Sequence, residues 1–251
     1  MNAEEISSSI ITASPQQAGQ LVDVVVRAFI SDPPSRWVFP DEQQYLQYFP
    51  QFVRALGGNA FTQGAALATA DYSGAALWLA PDAAPDEEAL GKLIEDGVAA
   101  EKQAEMAAIV AQMGGCHPDE PHWYLPFIGV TPARQGRGYG AALLRAQLSI
   151  CDKAQLPAYL ESTSPKSQPL YERHGFRAIA EIKVGSCPPI VPMLRRPLMS
   201  TIGTKRTSRP NSLMSAIGGK ADIQPACRDW GDLMRLLGSD THPLAFPRSS
   251  A

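Results

Sequence analysis

The stretch from Trp123 to Lys153, WYLPFIGVTPARQGRGYGAALLRAQLSICDK, constrains this chain more than any other. Trp123 to Val130 is an apolar, β-favouring run of strand length. Thr131-Pro132 stops it, because proline cannot donate to a ladder. Gly136, Gly138 and Gly140 follow, and Ala141-Ala142-Leu143-Leu144 then opens a helix with Leu144, Leu148 and Cys151 on one face. Glycines at a helix start let backbone N–H groups approach an anion closely, where the helix dipole also favours negative charge. The stretch predicts a strand, a phosphate-binding turn and a helix.

Two ligand classes fit such a turn. Gly136-x-Gly138-x-x-Ala141 matches the dinucleotide fingerprint, with Glu161 downstream at a spacing suited to a ribose contact. Against it, a Pro-Ala-Arg-Gln loop separates the glycines from the strand and no series of βα units follows. The tighter match is Gln135-x-x-Gly138-x-Gly140 after Val130-Thr131-Pro132, with Leu170-Tyr171-Glu172-Arg173-His174-Gly175-Phe176 downstream. The two blocks, in this order and separation, resemble the acetyl-CoA loop and the LYExxGF signature of the GNAT N-acetyltransferase superfamily. The resemblance spans roughly residues 6–197. It implies an α/β (α+β) fold with a central mixed, mostly antiparallel twisted sheet, splayed in the middle and covered by helices on both faces. It also implies transfer of an acetyl group from acetyl-CoA to a primary amine by direct attack.

The resemblance assigns roles to particular residues. The Trp123–Val130 and Ala158–Ser162 strands should part at their ends, and the pantetheine arm should pair with the exposed backbone like an added strand. Ile128 and Val130 are the positions implied, with the Ile128 N–H as an oxyanion donor. The pyrophosphate should rest on Gln135, Gly136, Arg137, Gly138, Tyr139 and Gly140, with Arg137 adding a charge-assisted contact. Tyr171 matches the general acid that protonates the leaving thiolate. Many relatives carry a carboxylate on the central strand, and WYLPFIGV has none. Glu161 on the neighbouring strand is the substitute general base, acting through water, with His122 as the second candidate. Relatives often carry Asn seven residues before the tyrosine. Ser164 stands there, and its hydroxyl has fewer donors for the cofactor. These two departures keep open a second reading, a non-catalytic acyl-CoA-binding module.

Composition sets the outer bounds. With 251 residues, 45% of them hydrophobic, the chain can bury a sizeable core. A net charge of −3 argues against general nucleic-acid binding. No apolar run approaches the length of a membrane span, and MNAEEISSSI has neither the basic region nor the apolar core of a signal peptide. The four cysteines form no CxxC pair and read as reduced thiols. The expectation is a cytoplasmic protein, monomer or homodimer, with a small-molecule or peptide amine as acceptor and no metal. Cys116-His117 with His122 lacks a further ligand at zinc-like spacing and reads as a polar loop.

Along the chain, a strand is expected over Ile6–Thr12 and a helix from Ser14-Pro15 to about Ser31, stopped by Asp32-Pro33-Pro34. Trp37 and Phe39 then either wall a substrate pocket or are ordinary core aromatics. Asp41–Leu56 reads as a helix kinked or split at Pro50. Ala60–Thr69 and Ala75–Ala80 read as a hairpin, and Asp86–Met113 as a long helical region interrupted near Gly91 or Gly97. Pro169–His174 is a short helix, and Phe176–Val184 with Ile190–Arg196 forms a last strand pair at a sheet edge. Residues 1–197 are expected to form the domain, with 198–251 a largely disordered extension.

Overall fold

The computed structural model describes residues 10–198, so most of the expected C-terminal extension lies outside the described residues. Seven strands form one sheet, in the order β1 (Ile10–Thr12), β2 (Ala66–Thr69), β3 (Gly74–Leu79), β4 (Trp123–Val130), β5 (Ala158–Ser162), β7 (Val191–Arg195) and β6 (Arg177–Ala178). Every neighbouring pair is antiparallel except β4 and β5, which run parallel. The expected mixed, mostly antiparallel sheet is present.

Helices cover both faces. On one lie α1 (Ala18–Ala28), α2 (Pro33–Val38), α3 (Glu42–Gly57), α4 (Asn59–Thr62), α5 (Glu87–Gly97) and α6 (Ala100–Cys116). On the other lie α7 (Tyr139–Ala154) and α8 (Gln168–Arg173). The first core is aromatic. Phe127 of β4 meets Phe29, Phe49 and Phe52 edge-on at 5.8–6.2 Å, an arrangement that suits ring quadrupoles. The second core packs Leu143, Leu144, Leu148 and Cys151 of α7 against Trp78 and Leu125, on the helix face read from the sequence.

Local chemistry explains where the structure departs from the sequence reading. Asp32-Pro33-Pro34 stops one helix and also starts another. Asp32 Oδ2 accepts from Ser35 N at 3.1 Å, which makes it the N-cap of α2, with proline in the first turn. Helix α3 continues unbroken through Pro50, so it is not split there. The carbonyl it leaves without a partner is that of Leu46, a residue on the exposed side of the helix. Ala60–Thr69 is not one strand. Asn59–Thr62 closes a helical turn, Gly64 takes a positive φ of 67°, and the strand begins only at Ala66. The long helical region breaks at Val98-Ala99, beside Gly97 rather than Gly91. Phe176–Val184 contracts to the two residues of β6 and one bridge, Ile182 to Ile190. β6 is the edge, and β7 lies between β6 and β5 despite Pro192.

Arg195 fastens the ends of this second face. Buried on β7, it donates Nη1 and Nη2 to the two Asp152 oxygens of α7, each at 2.8 Å, and Nε to the His174 carbonyl at the end of α8 at 2.9 Å. The guanidinium holds the Asp152 carboxyl below its ordinary range. This clamp sets where α8, and with it Tyr171, sits against the sheet. Replacing Arg195 by Met should lower stability in chemical denaturation by about 2–3 kcal/mol, since it leaves a charged partner and a buried carbonyl without their donor.

Candidate active site

The site begins with a break in the sheet. β4 and β5 pair only through Trp123–Ala158, Tyr124–Tyr159 and Leu125–Leu160. The next residue of β4 is Pro126, which has no N–H to offer. On the other side, Leu77 opposes Phe127 while Leu79 opposes Tyr124, so β4 carries one extra residue. This is a bulge. Beyond it β4 follows β3, while β5 continues toward Ser162 alongside β7. The expected splay is therefore present, and Pro126 in a strand interior was the sequence signal for it.

Backbone alternation fixes what the gap presents. Thr131 N–H bonds to Ser73 O of the β3 side at 2.8 Å. Successive residues of a strand turn their N–H and C=O to opposite edges. Ile128 and Val130 therefore turn theirs toward the gap. The Val130 carbonyl accepts from the Gln135 side chain at 3.1 Å instead of from a strand.

The loop after β4 is exposed from Pro132 to Gly138. Gly136 and Gly138 have φ of 73° and 90°, values that side chains rarely tolerate. Gly138 is the N-cap of α7, and among the described residues no backbone carbonyl takes up the N–H of Gly136, Arg137 or Gly138. Those of Tyr139 and Gly140 lie in the first helical turn, which has no partner within the helix. Tyr139, buried against Ile10 and Val130, anchors the loop. The arrangement is a row of free donors at a helix N-terminus, suited to a phosphate.

On the aromatic face the gap opens into a cavity of about 110 Å³. Pro126, Phe127, Glu161 and Thr163, from the two diverging strand ends, form one wall. Trp37 and Phe39 line it, so the pocket role considered for them from sequence matches their placement. Its roof includes Cys187, whose thiol burial pushes up to about 11, leaving it neutral. The roof is tied down by Trp37 Nε1 donating to Ser186 Oγ at 2.9 Å and by Glu105 accepting from Ser186 N at 3.0 Å.

Glu161 is the one carboxylate in the lining, and it sits in a buried polar cluster that the sequence reading missed. His117 Nε2 stands 3.4 Å from Glu161 Oε1, with only 6% and 5% of the two side chains exposed. His117 Nδ1 is 3.1 Å from His122 Nε2, and His122 Nδ1 is 2.8 Å from the Glu120 carbonyl. Burial lowers the His122 pKa, so its ring is neutral. Assigning tautomers from this network, His122 donates to Glu120 O and accepts from His117. The remaining His117 nitrogen then faces Glu161. Tyr124 and Tyr159 pack beside the pair, and burial and then the Glu161 charge raise both phenols. His117 and His122 thus belong to the interior and not to a polar loop.

Tyr171 of α8 is buried on the opposite face against Phe176. Burial, and behind it the charge of Asp32, push its pKa up to about 12, while Ser167 pulls it back. Asp32 binds both Thr163, just past β5, and Ser35, and both of these residues line the cavity. Tyr171, Asp32 and the cavity are thus electrostatic neighbours across the gap. Ser164 instead serves its own turn. Its carbonyl accepts from Ser162 and Ser167, and its hydroxyl accepts from Lys166 N.

A split sheet, a donor-rich loop and a cavity that meets the split together define an acyl-transfer fold. Residues 65–176 match the acetyltransferase (GNAT) family. An uncharacterized N-acetyltransferase of Schizosaccharomyces pombe is 26% identical over 208 residues, covering 76% of this chain and 84% of the relative. A Corynebacterium glutamicum structure described as histone acetyltransferase HPA2 and related acetyltransferase superposes with a TM-score of 0.53 at 26% identity, over 77% of this chain and 98% of that one. The C-terminal condensation domain of Ebony, in complex with beta-alanyl-dopamine, shares the fold alone, at 12% identity and a TM-score of 0.55, over 74% and 97% of the two chains. Over residues 65–176 the chain is similar to the GNAT acetyltransferase family, and its likeness to these N-acetyltransferases supports an acetyltransferase enzyme. Among the described residues no helix is long and apolar enough to cross a membrane.

The depressed His122 pKa has a consequence for stability. Unfolded, the ring takes up a proton near pH 6.5, whereas folded it resists until lower pH. Its contribution is complete above pH 6.5 and is lost as pH falls through the folded value. Melting temperatures between pH 7 and 5 should fall, and His122→Gln should flatten that slope.

Proposed function

We propose that this enzyme moves an acetyl group from acetyl-CoA to a primary amine by direct attack. The observation that carries the reading is the meeting of three features at one point: the backbone of Ile128 and Val130 turned to the gap, the free N–H groups of Gly136–Gly140, and a carboxylate-bearing cavity opening on the same gap. The pantetheine arm pairs with the gap as an added strand. The pyrophosphate rests on the loop from Gln135 to Gly140, with Arg137 free at the surface for a charge-assisted contact.

The chemistry follows from the groups in place. The amine nitrogen attacks the thioester carbon, the C–S bond breaks, and the carbonyl oxygen is stabilised meanwhile by the Ile128 N–H. Glu161 takes the proton that the nitrogen loses, with the His117–His122 pair behind it to share the charge. Tyr171 gives its proton to the departing sulfur. With its pKa at about 12 the hydroxyl is protonated at every working pH, but transfer to a thiolate of ordinary pKa, about 8.5, is uphill in water. Tyr171 therefore acts first by donating a hydrogen bond to the sulfur, and full transfer accompanies C–S cleavage. Ser164 uses its carbonyl and one hydroxyl lone pair in its own turn, which leaves its O–H as the donor it can offer the cofactor.

Two measurements test this. Gly138→Val places a branched side chain at a φ of 90° and on the phosphate loop. Calorimetry should show acetyl-CoA binding to the parent but not to the variant, and NAD binding to neither. Tyr171→Phe keeps the ring packing and removes the hydroxyl. Thiol release should drop in kcat by roughly 10²-fold or more, with acetyl-CoA affinity and melting temperature nearly unchanged. Turnover at the parent rate would make Tyr171 a packing residue. Absence of thiol release from the parent with any amine would favour the binding-module reading.

A further inference from the structure

We infer that the acceptor is an apolar primary amine carrying a single-ring-sized group and no carboxylate. The inference rests on the reading of the cavity as the acceptor site and adds what the cavity selects.

Size comes first. A dry cavity of roughly 150 Å³ lined by Leu, Ile and Phe binds benzene. The cavity here, at about 110 Å³, is of the same order and is open on the side of the strand gap. It is lined by Phe29, Phe39, Phe49, Phe52 and Phe127, with Ile94, Val98 and Met106 at the helical end. A polyamine or a peptide side chain bearing polar groups along its length would leave those groups unpaired against these walls.

Polarity comes second, and it is confined to one end. Glu161, Thr163 and Ser35 are the polar lining residues near the strand gap, and Asp32 stands directly behind Ser35 and Thr163. No Lys, Arg or His is among the lining residues. Of the basic groups near the lining, Lys102 is turned onto the Trp37 carbonyl at 2.6 Å and the Trp37 ring, Arg36 gives Nη2 to the Pro40 carbonyl at 2.6 Å and lies over the Tyr45 ring, and His117 stands behind Glu161. An ammonium group therefore meets a negative end with the gap beside it, while a carboxylate on the same molecule would meet two carboxylates with no basic side chain in the lining. The apolar group lies among the rings, and the nitrogen stays at the gap where the thioester arrives.

The test uses the full chain with acetyl-CoA and four probes: 2-phenylethylamine, ethylamine, L-phenylalanine and spermidine. Thiol release should give 2-phenylethylamine a kcat/KM about 100-fold above ethylamine, the scale of burying a ring's worth of methylenes. L-phenylalanine, which differs by its carboxylate, should fall about 100-fold or more below 2-phenylethylamine. Phe52→Ala, which widens the cavity, should move the preference toward 4-phenylbutylamine. Ethylamine, spermidine or L-phenylalanine used as well as 2-phenylethylamine overturns the assignment while leaving acetyl transfer intact. If no amine releases thiol, melting temperatures with coenzyme A decide. A rise with 2-phenylethylamine and not with L-phenylalanine keeps the cavity assignment and removes the transfer reading, and no rise overturns the assignment as well.

Discussion

The structure depends on the short parallel join between β4 and β5. Three residue pairs hold the two halves of the sheet together, and Pro126 with its bulge ends the pairing. Were the ladder to continue, Ile128 and Val130 would spend their N–H and C=O groups on β5, and the aromatic cavity would be sealed off from the loop. The bulge has a second effect. It shifts the alternation of β4 so that Tyr124 and Phe127, three residues apart, point into the same core. One strand thereby supplies both the wall of the cavity and the edge of the gap.

Around that join the parts divide by face. The α7–α8 face supplies the glycine loop and Tyr171, and Arg195 fixes their spacing through Asp152 and the end of α8. The face covered by α1 to α6 supplies the cavity, its roof and the acidic end. Asp32 links them, because it caps α2, bonds Thr163 past β5, and projects its charge onto Tyr171. A residue that the sequence marks as a helix cap thus also shapes the electrostatics of the candidate acid.

Local features were legible in the sequence and non-local ones were not. The strand, glycine loop and helix from Trp123 to Lys153 could be read because each depends on neighbours in the chain. The short helix bearing Tyr171 was read for the same reason. Asp32-Pro33 carries a signal for the start of α2 as well as for the stop of α1, and Pro126 carries one for the bulge. The strand expected at Phe176–Val184 contracts to Arg177-Ala178 and the Ile182 bridge, on the edge of β7 that β5 leaves free. Glu161 could be picked out as the lone nearby carboxylate. Its surroundings could not, because His117 and Tyr124 reach it from elements distant in the chain, and only the folded sheet brings them beside Glu161 and its strand neighbour Tyr159.

The split strand also makes the two halves of the site unequal under mutation. Every residue type except proline carries both an N–H and a C=O, so exchanging the side chain at Ile128 or Val130 leaves the surface offered by the gap in place. The cavity has no such insurance, since its volume and polarity are the side chains themselves. A lineage of such chains can drift from one acceptor to another by changing a few aromatic residues, while the means of holding the donor persists in the course of the backbone.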